Sequence, residues 1–147
     1  MHVGYGAVFQ NPNNQLSDRE VWRQELRLAE MAEPMGFDSV WSIEHHFDDY
    51  TMCPDPVQFL TYMAGRTKHV KLGSMVVVLP WHDPIRVAEQ VAMLDHVSDG
   101  RFIFGIGRGL APAGCRRLPQ SRCDSPCSQA SAGRPPRRQK LSALTLV

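Results

Sequence analysis

Short apolar runs alternate with segments of helical periodicity along the first 112 residues of the chain. The runs are rich in Val, Ile, Phe and Trp, which favour β-strands. The third run is almost continuously apolar, as is typical of a strand that is buried on both faces. The pattern predicts strands at residues 2–10, 37–43, 70–79 and 101–106.

Three helices are predicted between these strands, and each has a recognisable start. Ser17 and Glu20 have the spacing of a capping box, in which two residues satisfy otherwise unpaired backbone donors. Asp55-Pro56 and Asp83-Pro84 each place a capping acid before a proline at the first helical position. Gly36 is expected to end the first helix, and the third should run to about residue 97. The predicted apolar faces contain Val21, Leu28, Ala32 and Met35, then Val57, Leu60, Met63 and Ala64, then Val87, Val91 and Leu94.

The resulting order, β-α-β-α-β-α-β, predicts an α/β fold with a parallel sheet and right-handed crossovers. Periodicity alone does not distinguish a doubly wound sheet from a barrel. The chain has 147 residues, whereas a complete (β/α)₈ barrel takes about 250. The pattern therefore accounts for only part of a barrel, with about four β/α units.

Residues 113–147 differ abruptly from the preceding sequence. They contain seven basic residues and one acid, a net charge of +6, whereas residues 1–112 contain nine basic and fourteen acidic residues, a net charge of −5. The segment mixes Arg, Pro, Ser and Cys without periodicity, which predicts a disordered tail. A basic arm for nucleic acid is one interpretation. An aberrant or frameshifted terminus is preferred, because the change falls in the middle of a β/α unit.

Composition also bears on compartment and partners. Cys53 is the only cysteine in residues 1–112, which suits a reducing compartment. The N-terminus does not resemble a signal peptide, and no run approaches the ~20 apolar residues of a membrane span. The acidic first part argues against a nucleic-acid surface. We expect a cytoplasmic protein without nucleic-acid or membrane partners.

The triplet Glu44-His45-His46 is the main candidate for chemistry, because it directly follows the second predicted strand. Ligands of parallel α/β folds bind at the carboxyl ends of strands. A histidine suits proton transfer, and a neighbouring carboxylate can fix its tautomer. A structural hydrogen-bonding role is the simpler interpretation of the triplet alone. His82 and His96 look isolated, so no third metal ligand has a convincing spacing and no metal site is predicted.

A second candidate is the glycine-rich end of the fourth strand, residues 105–109. It lacks the G-x-G-x-x-G spacing of a dinucleotide site, because residue 110 is Leu. Small residues would let the backbone approach a planar ligand, and Arg108 could bind a phosphate or carboxylate. A flexible strand exit with a solvated arginine is the alternative. Met75 and Val76 look like core residues, and Glu89 looks like the partner of Arg86 in a solvated pair.

Three passages in this order resemble the bacterial luciferase-like, flavin-dependent monooxygenase superfamily, in its N-terminal half only. They are GFDSVW-x-x-EHHF at residues 36–47, VLP-x-x-x-P-x-R-x-x-E at 78–89, and LDHVSDGRF-x-FGIGRGL at 94–110. The resemblance implies a partial (β/α)₈ TIM barrel, reduced FMN as cofactor, and oxidation of a small organic substrate with O₂. A flavin reductase would supply the reduced FMN.

The resemblance also implies roles for individual residues. His45 would assist proton transfer near the flavin ring, with Glu44 and His46 in support. Met75-Val76 matches a strand-end pair that commonly has a non-prolyl cis peptide beneath the ring. The other residues expected at the cofactor are Glu89, Gly107, Arg108 and Leu110.

Four strands leave a barrel incomplete, and the two outer strands would expose unpaired backbone. A homo-oligomer that covers these edges is therefore one expectation. A non-catalytic half barrel or degenerate product, and an oxidoreductase that uses deazaflavin F420, are the alternatives to a truncated FMN-dependent monooxygenase.

Overall fold

The computed structural model describes residues 1–47 and 50–109. Contacts divide the chain after Leu110, and the described residues all belong to the first unit. The predicted boundary at residue 112 and the predicted disordered tail lie outside the described residues and stay predictions.

The described part is an α/β layer in which a parallel sheet packs against helices. The strands are β1 (Gly4–Ala7), β2 (Ser39–Ser42), β3 (Lys71–Ser74), β4 (Val77–Val78), β5 (Phe102–Ile103) and β6 (Ile106–Gly107). The helices are α1 (Asp18–Ala32), α2 (Pro56–Arg66) and α3 (Pro84–Val97), with 3₁₀ turns at Pro12–Asn14 and Leu79–Trp81. The main sheet has the order β1-β2-β3-β5, and every pairing in it is parallel. The predicted fold class is confirmed.

Local sequence signals explain where the helices begin. Ser17 and Glu20 form the predicted capping box at α1. The side chains of Asp55 and Asp83 accept backbone N–H groups at the starts of α2 and α3. Gly36 follows α1 with a φ of +84°, a backbone conformation that favours glycine. The caps therefore fix the lengths of the crossovers between strands.

The predicted apolar face was wrong at two positions of the first helix. Leu28 is about half exposed, and Met35 lies beyond the last residue of α1. The buried stripe of α1 is rotated toward Ala29, so that Leu28 falls on its edge. The predicted faces of α2 and α3 are buried or half-buried.

Two predicted strands are each broken into two pieces. The third ends as β3 at Ser74 and resumes as β4 after a cis peptide bond between Met75 and Val76. The Ser74 hydroxyl donates to the Gly105 carbonyl and accepts from the Gly105 N–H, both at 2.9 Å. The two hydrogen bonds of the Ser74 side chain thus replace backbone hydrogen bonds of the sheet at the point where the pairing changes from β3–β5 to β4–β6.

The two faces of the main sheet differ in the size of their side chains. Val40, Leu72 and Phe102 share a row with Tyr5 on the face that packs against the helices. The opposite face carries Trp41 in a row with Gly6, Gly73 and Ile103. A Cβ atom on Gly73 would lie 2.3 Å from the Trp41 ring. The indole therefore occupies the space that a side chain at residue 73 would need.

Arg101 is a buried cation that joins three segments. Its guanidinium donates to the backbone carbonyls of Ala64, Thr67, Val70 and Ser98 and to the Thr67 hydroxyl, at 2.8–3.1 Å. These acceptors lie at the end of α2, before β3 and after α3. Because a buried guanidinium is costly without partners, this set of bonds should fix how the segments meet.

Replacing Arg101 with Met should lower the free energy of unfolding by about 3 kcal/mol, because several buried carbonyls lose their donors. Arg101→Lys, which keeps the charge but not the planar fork, should cost less. Arg27→Met, on the exposed face of α1, is the matched control and should change stability by at most about 0.5 kcal/mol. Urea unfolding followed by circular dichroism measures all three, and equal effects at residues 27 and 101 would contradict the structure.

Gly73→Ala should be destabilising by about 1–3 kcal/mol, because the methyl group collides with the Trp41 ring. The control is Gly65→Ala in α2, where a Cβ atom meets no neighbour within 4 Å. That change should be neutral or stabilising by up to about 1 kcal/mol, since alanine favours helix. The melting temperatures of the two variants should shift in opposite directions, or the shift for Gly73→Ala should be clearly the larger.

Candidate active site

The carboxyl ends of the strands form one edge of the sheet. The chain passes from β2 into Glu44-His45-His46, from β3 into Met75-Val76, and from β6 into Arg108. The Met75 N–H donates to the carbonyl of Ser42, the last residue of β2, at 2.7 Å. Parallel pairing therefore brings the predicted triplet and the predicted strand-end pair to neighbouring positions.

Glu44 is the buried centre of a hydrogen-bonded cluster. Its Oε1 atom lies 2.7 Å from His46 Nε2 and 2.9 Å from His82 Nε2, and its Oε2 atom accepts the Val78 N–H at 2.8 Å. A carboxylate has only acceptors, so each imidazole presents an Nε2–H to it. Glu44 thus joins the end of β2 to β4 and to the start of α3.

His82 belongs to this cluster, although the sequence suggested that it was isolated. It directly follows the 3₁₀ turn Leu79–Trp81 and precedes Asp83, the N-cap of α3. That position lies at the carboxyl edge of the sheet, which is the signal that sequence reasoning could have used. The ring of Trp81 stacks on the ring of His46 at 4.0 Å. The turn therefore orients both histidines.

His45 lines an open cleft. The cleft has a volume of about 660 Å³ and is lined by residues of the loops after β1 and β2 and of the start of α1: Asn14, Asp18, Trp22, His45, His46, Phe47, Met52 and Pro54. The His45 ring lies 5.3 Å from the Tyr50 ring, and its backbone N–H donates to the Cys53 carbonyl at 3.0 Å. A small molecule in the cleft would thus meet the His45 imidazole.

Cys53 underlies this loop as a structural residue. Its thiol is fully buried and lies 3.4 Å from the Ser42 hydroxyl. Burial raises the pKa of the thiol to about 11, because the thiolate is poorly solvated there. The neutral thiol is therefore not a nucleophile at physiological pH.

The glycines of residues 105–109 have a packing role that the sequence did not predict. A Cβ atom on Gly105 would lie 2.2 Å from the Ser74 carbonyl oxygen, and one on Gly107 would lie 2.6 Å from Val76 Cγ2. These glycines let the backbone approach β3 and β4, including the cis peptide. Close approach to a neighbouring strand therefore explains them without a ligand.

The remaining predicted cofactor residues are placed differently. Arg108 follows β6 and is exposed at the carboxyl edge. Glu89 lies on α3 with a solvent-exposed carboxylate that accepts from Arg86 at 2.6 Å, so its side chain is not part of the Glu44 cluster. Leu110 lies outside the described residues.

A family model described as luciferase-like monooxygenase matches residues 1–126. The alkanal monooxygenase alpha chain of Photorhabdus laumondii is 42% identical over 96 residues, which cover 65% of this chain and 27% of the relative. The oxygenase component of a flavin-dependent trigonelline monooxygenase from Acinetobacter baylyi is 35% identical, over 66% of this chain and 27% of the relative. The chain thus spans about a quarter of the length of these relatives.

Solved structures agree with this relationship. Monooxygenase RslO1 from Streptomyces bottropensis has a TM-score of 0.72 and 35% identity, over 79% of this chain and 36% of its own. The oxygenating constituent of 3,6-diketocamphane monooxygenase from Pseudomonas putida, in complex with FMN, has a TM-score of 0.72 and 26% identity, over 79% and 32%. A coenzyme F420-dependent tetrahydromethanopterin reductase from Methanopyrus kandleri has a TM-score of 0.56 and 26% identity, over 82% and 31%.

Within the described residues, no helix is long and apolar enough to cross a membrane. The family model covers most of the chain. The protein belongs to the luciferase-like monooxygenase family.

Proposed function

We propose that the described residues form the flavin-ring end of an FMN-dependent monooxygenase site, which oxidises a small organic substrate with O₂. The observation that carries the proposal is the placement of His45, the Met75-Val76 pair and Arg108 at the same edge of the sheet. The relative whose solved structure contains FMN supports this choice of cofactor. The chain spans about a quarter of the length of its relatives. The oxygenase activity is therefore proposed for this chain and is not taken over from them.

The residues at this edge fit the ring and phosphate of FMN. Met75 and Ile106 expose apolar side chains there, at 49% and 53% relative exposure, which suits the face of a planar apolar ring. Arg108 offers a cation for a phosphate.

The residues of this chain would then hold the reacting groups in place and transfer a proton. Bound reduced flavin would supply the electrons that activate O₂. His45 would hold or move a proton at its imidazole beside the ring. Glu44 and His46 flank His45. Glu44 accepts hydrogen bonds from His46, Val78 and His82, so the backbone on both sides of His45 is fixed. O₂ and the organic substrate would enter from the cleft.

A separate source of reduced FMN belongs to the same proposal. One relative is named as the oxygenase component of a flavin-dependent monooxygenase. A flavin reductase would be the partner of this chain, and a chemical reductant can replace it in an assay.

His45→Asn should lower the rate of aldehyde oxidation by reduced FMN and O₂ by about 10²–10⁴-fold, because the proton-transfer group is lost. The FMN affinity should change little, since Asn keeps a polar side chain of similar length. Fluorescence quenching measures affinity, and product formation measures the rate. His96→Asn, in the last turn of α3 and exposed, is the matched control. Failure of the parent chain to bind FMN, or an undiminished rate in His45→Asn, would contradict the proposal.

F420 is the alternative cofactor, and the F420-dependent reductase of similar fold is the observation that favours it. The same quenching titration with F420 distinguishes the two. Tighter binding of F420 than of FMN would reassign the site to hydride transfer.

A non-catalytic half barrel that pairs with another chain is the second candidate function. In the described part of the chain, β1 pairs only with β2 and β5 pairs only with β3. Unpaired strand edges are a template for association with another chain. Trp41, Ile103 and Ile106 add apolar surface on or beside the open face.

Size-exclusion chromatography with light scattering tests this pairing. If a second copy covers the edges, the chain should elute as a discrete dimer, and Ile103→Lys should shift it toward monomer. The exposed Ile85 of α3 supplies the control Ile85→Lys, which should leave the dimer intact. A monomeric parent chain would remove this candidate.

A further inference from the structure

The Glu44 cluster combines three side chains of a kind that binds transition metals. One ligand atom from each of Glu44, His46 and His82 lies within 4.8 Å of the other two. Two imidazole nitrogens and one carboxylate oxygen are a common protein ligand set for zinc. We propose that these three residues bind a divalent transition-metal ion of the Zn²⁺ class, independently of flavin.

The distances within the cluster are close to those that a metal requires. Ligands at about 2.0–2.1 Å from a tetrahedral Zn²⁺ lie roughly 3.3 Å from one another. The two imidazole nitrogens lie 2.7 and 2.9 Å from the shared carboxylate oxygen. Separation of each pair by about half an ångström would therefore admit the ion, which small rotations of the two imidazole rings can supply.

The surroundings of the cluster already orient its ligands. The second oxygen of Glu44 keeps its bond to the Val78 N–H at 2.8 Å, so the carboxylate would bind through one oxygen only. The stacked ring of Trp81 holds the plane of His46. Such outer contacts usually accompany metal ligands and raise metal affinity.

When metal bonds replace the hydrogen bonds, every displaced proton has a destination. Each imidazole gives up its Nε2 proton, either to water or by a shift to Nδ1, and the lone pair that is exposed binds the ion. The carboxylate contributes one negative charge. Three protein ligands leave a fourth position for water, as in zinc sites that are not closed.

Solvent access and ligand type narrow the choice of ion. The side chains of His46 and His82 are 15% and 20% exposed, whereas that of Glu44 is fully buried, so an ion can enter from the histidine side. Two imidazoles favour Zn²⁺, Cu²⁺, Ni²⁺ or Co²⁺ over Mg²⁺ and Ca²⁺, which prefer oxygen ligands. The ion at this site is therefore a transition metal and not Mg²⁺ or Ca²⁺.

The test must separate this site from thiolate ligands elsewhere in the chain. Cys115, Cys123 and Cys127 lie outside the described residues, and cysteine thiolates are zinc ligands. A chain with all three replaced by Ser is therefore the parent, and it is used without flavin so that failure of the proposed oxygenase function does not affect the result. Competition for Zn²⁺ with a chromophoric chelator gives affinity and stoichiometry. We expect one Zn²⁺ per chain and a raised melting temperature, with no effect of Mg²⁺.

Removal of one ligand should abolish the effect. His82→Gln should weaken Zn²⁺ binding by more than about tenfold, and His96→Gln, the same change at an exposed histidine of α3, should leave it unchanged. Failure of the parent with three cysteines replaced to bind Zn²⁺, or equal affinity in His82→Gln, would overturn the proposal. If His82→Gln does not fold, Co²⁺ spectra of the parent decide. A tetrahedral spectrum that is lost on prior modification of histidines with diethyl pyrocarbonate supports the site, and an octahedral spectrum refutes it.

Discussion

A buried carboxylate with three hydrogen bonds holds together the segments that follow the carboxyl ends of the strands. Burying a carboxylate without partners costs several kcal/mol, so the fold must supply donors where Glu44 lies. The donors come from His46, Val78 and His82, on three different segments. The loop after β2, the short strand β4 and the start of α3 are thereby held in one arrangement, and His45 is held within it.

The sequence predicts those parts of the fold that depend on local chemistry. The helix starts at Ser17, Asp55 and Asp83 require only neighbouring residues, and all three occur as predicted. The parallel sheet follows from the alternation of elements. The breaks in the third and fourth strands could not be predicted in the same way, because they depend on the side chain of Ser74 meeting Gly105, 31 residues away.

In the candidate site, too, the sequence predicts what depends on neighbouring residues and not what depends on distant contacts. Its edge of the sheet and the Glu44-His45-His46 triplet follow from the position of a strand end. The participation of His82 depends on a contact 38 residues away from Glu44 in sequence, which no local pattern encodes. The sequence suggests a ligand at the glycine-rich segment, but the positions of Ser74 and Val76 already require glycine there. Packing between strand ends thus decides which motif residues face outward.

The hydrogen bonds from the two histidines and a metal ion would compete for the same oxygen of Glu44. A metal ion at this oxygen would replace the hydrogen bonds that now hold His46 and His82, while the bond from Val78 to the other oxygen could persist. The strand ends would then keep their positions, but the two histidines would become ligands instead of hydrogen-bond donors. The backbone beside His45 would be fixed in either case. One cluster could therefore maintain the shape of the edge with two different charge distributions, since its position depends on the backbone bond and its chemistry on the imidazoles.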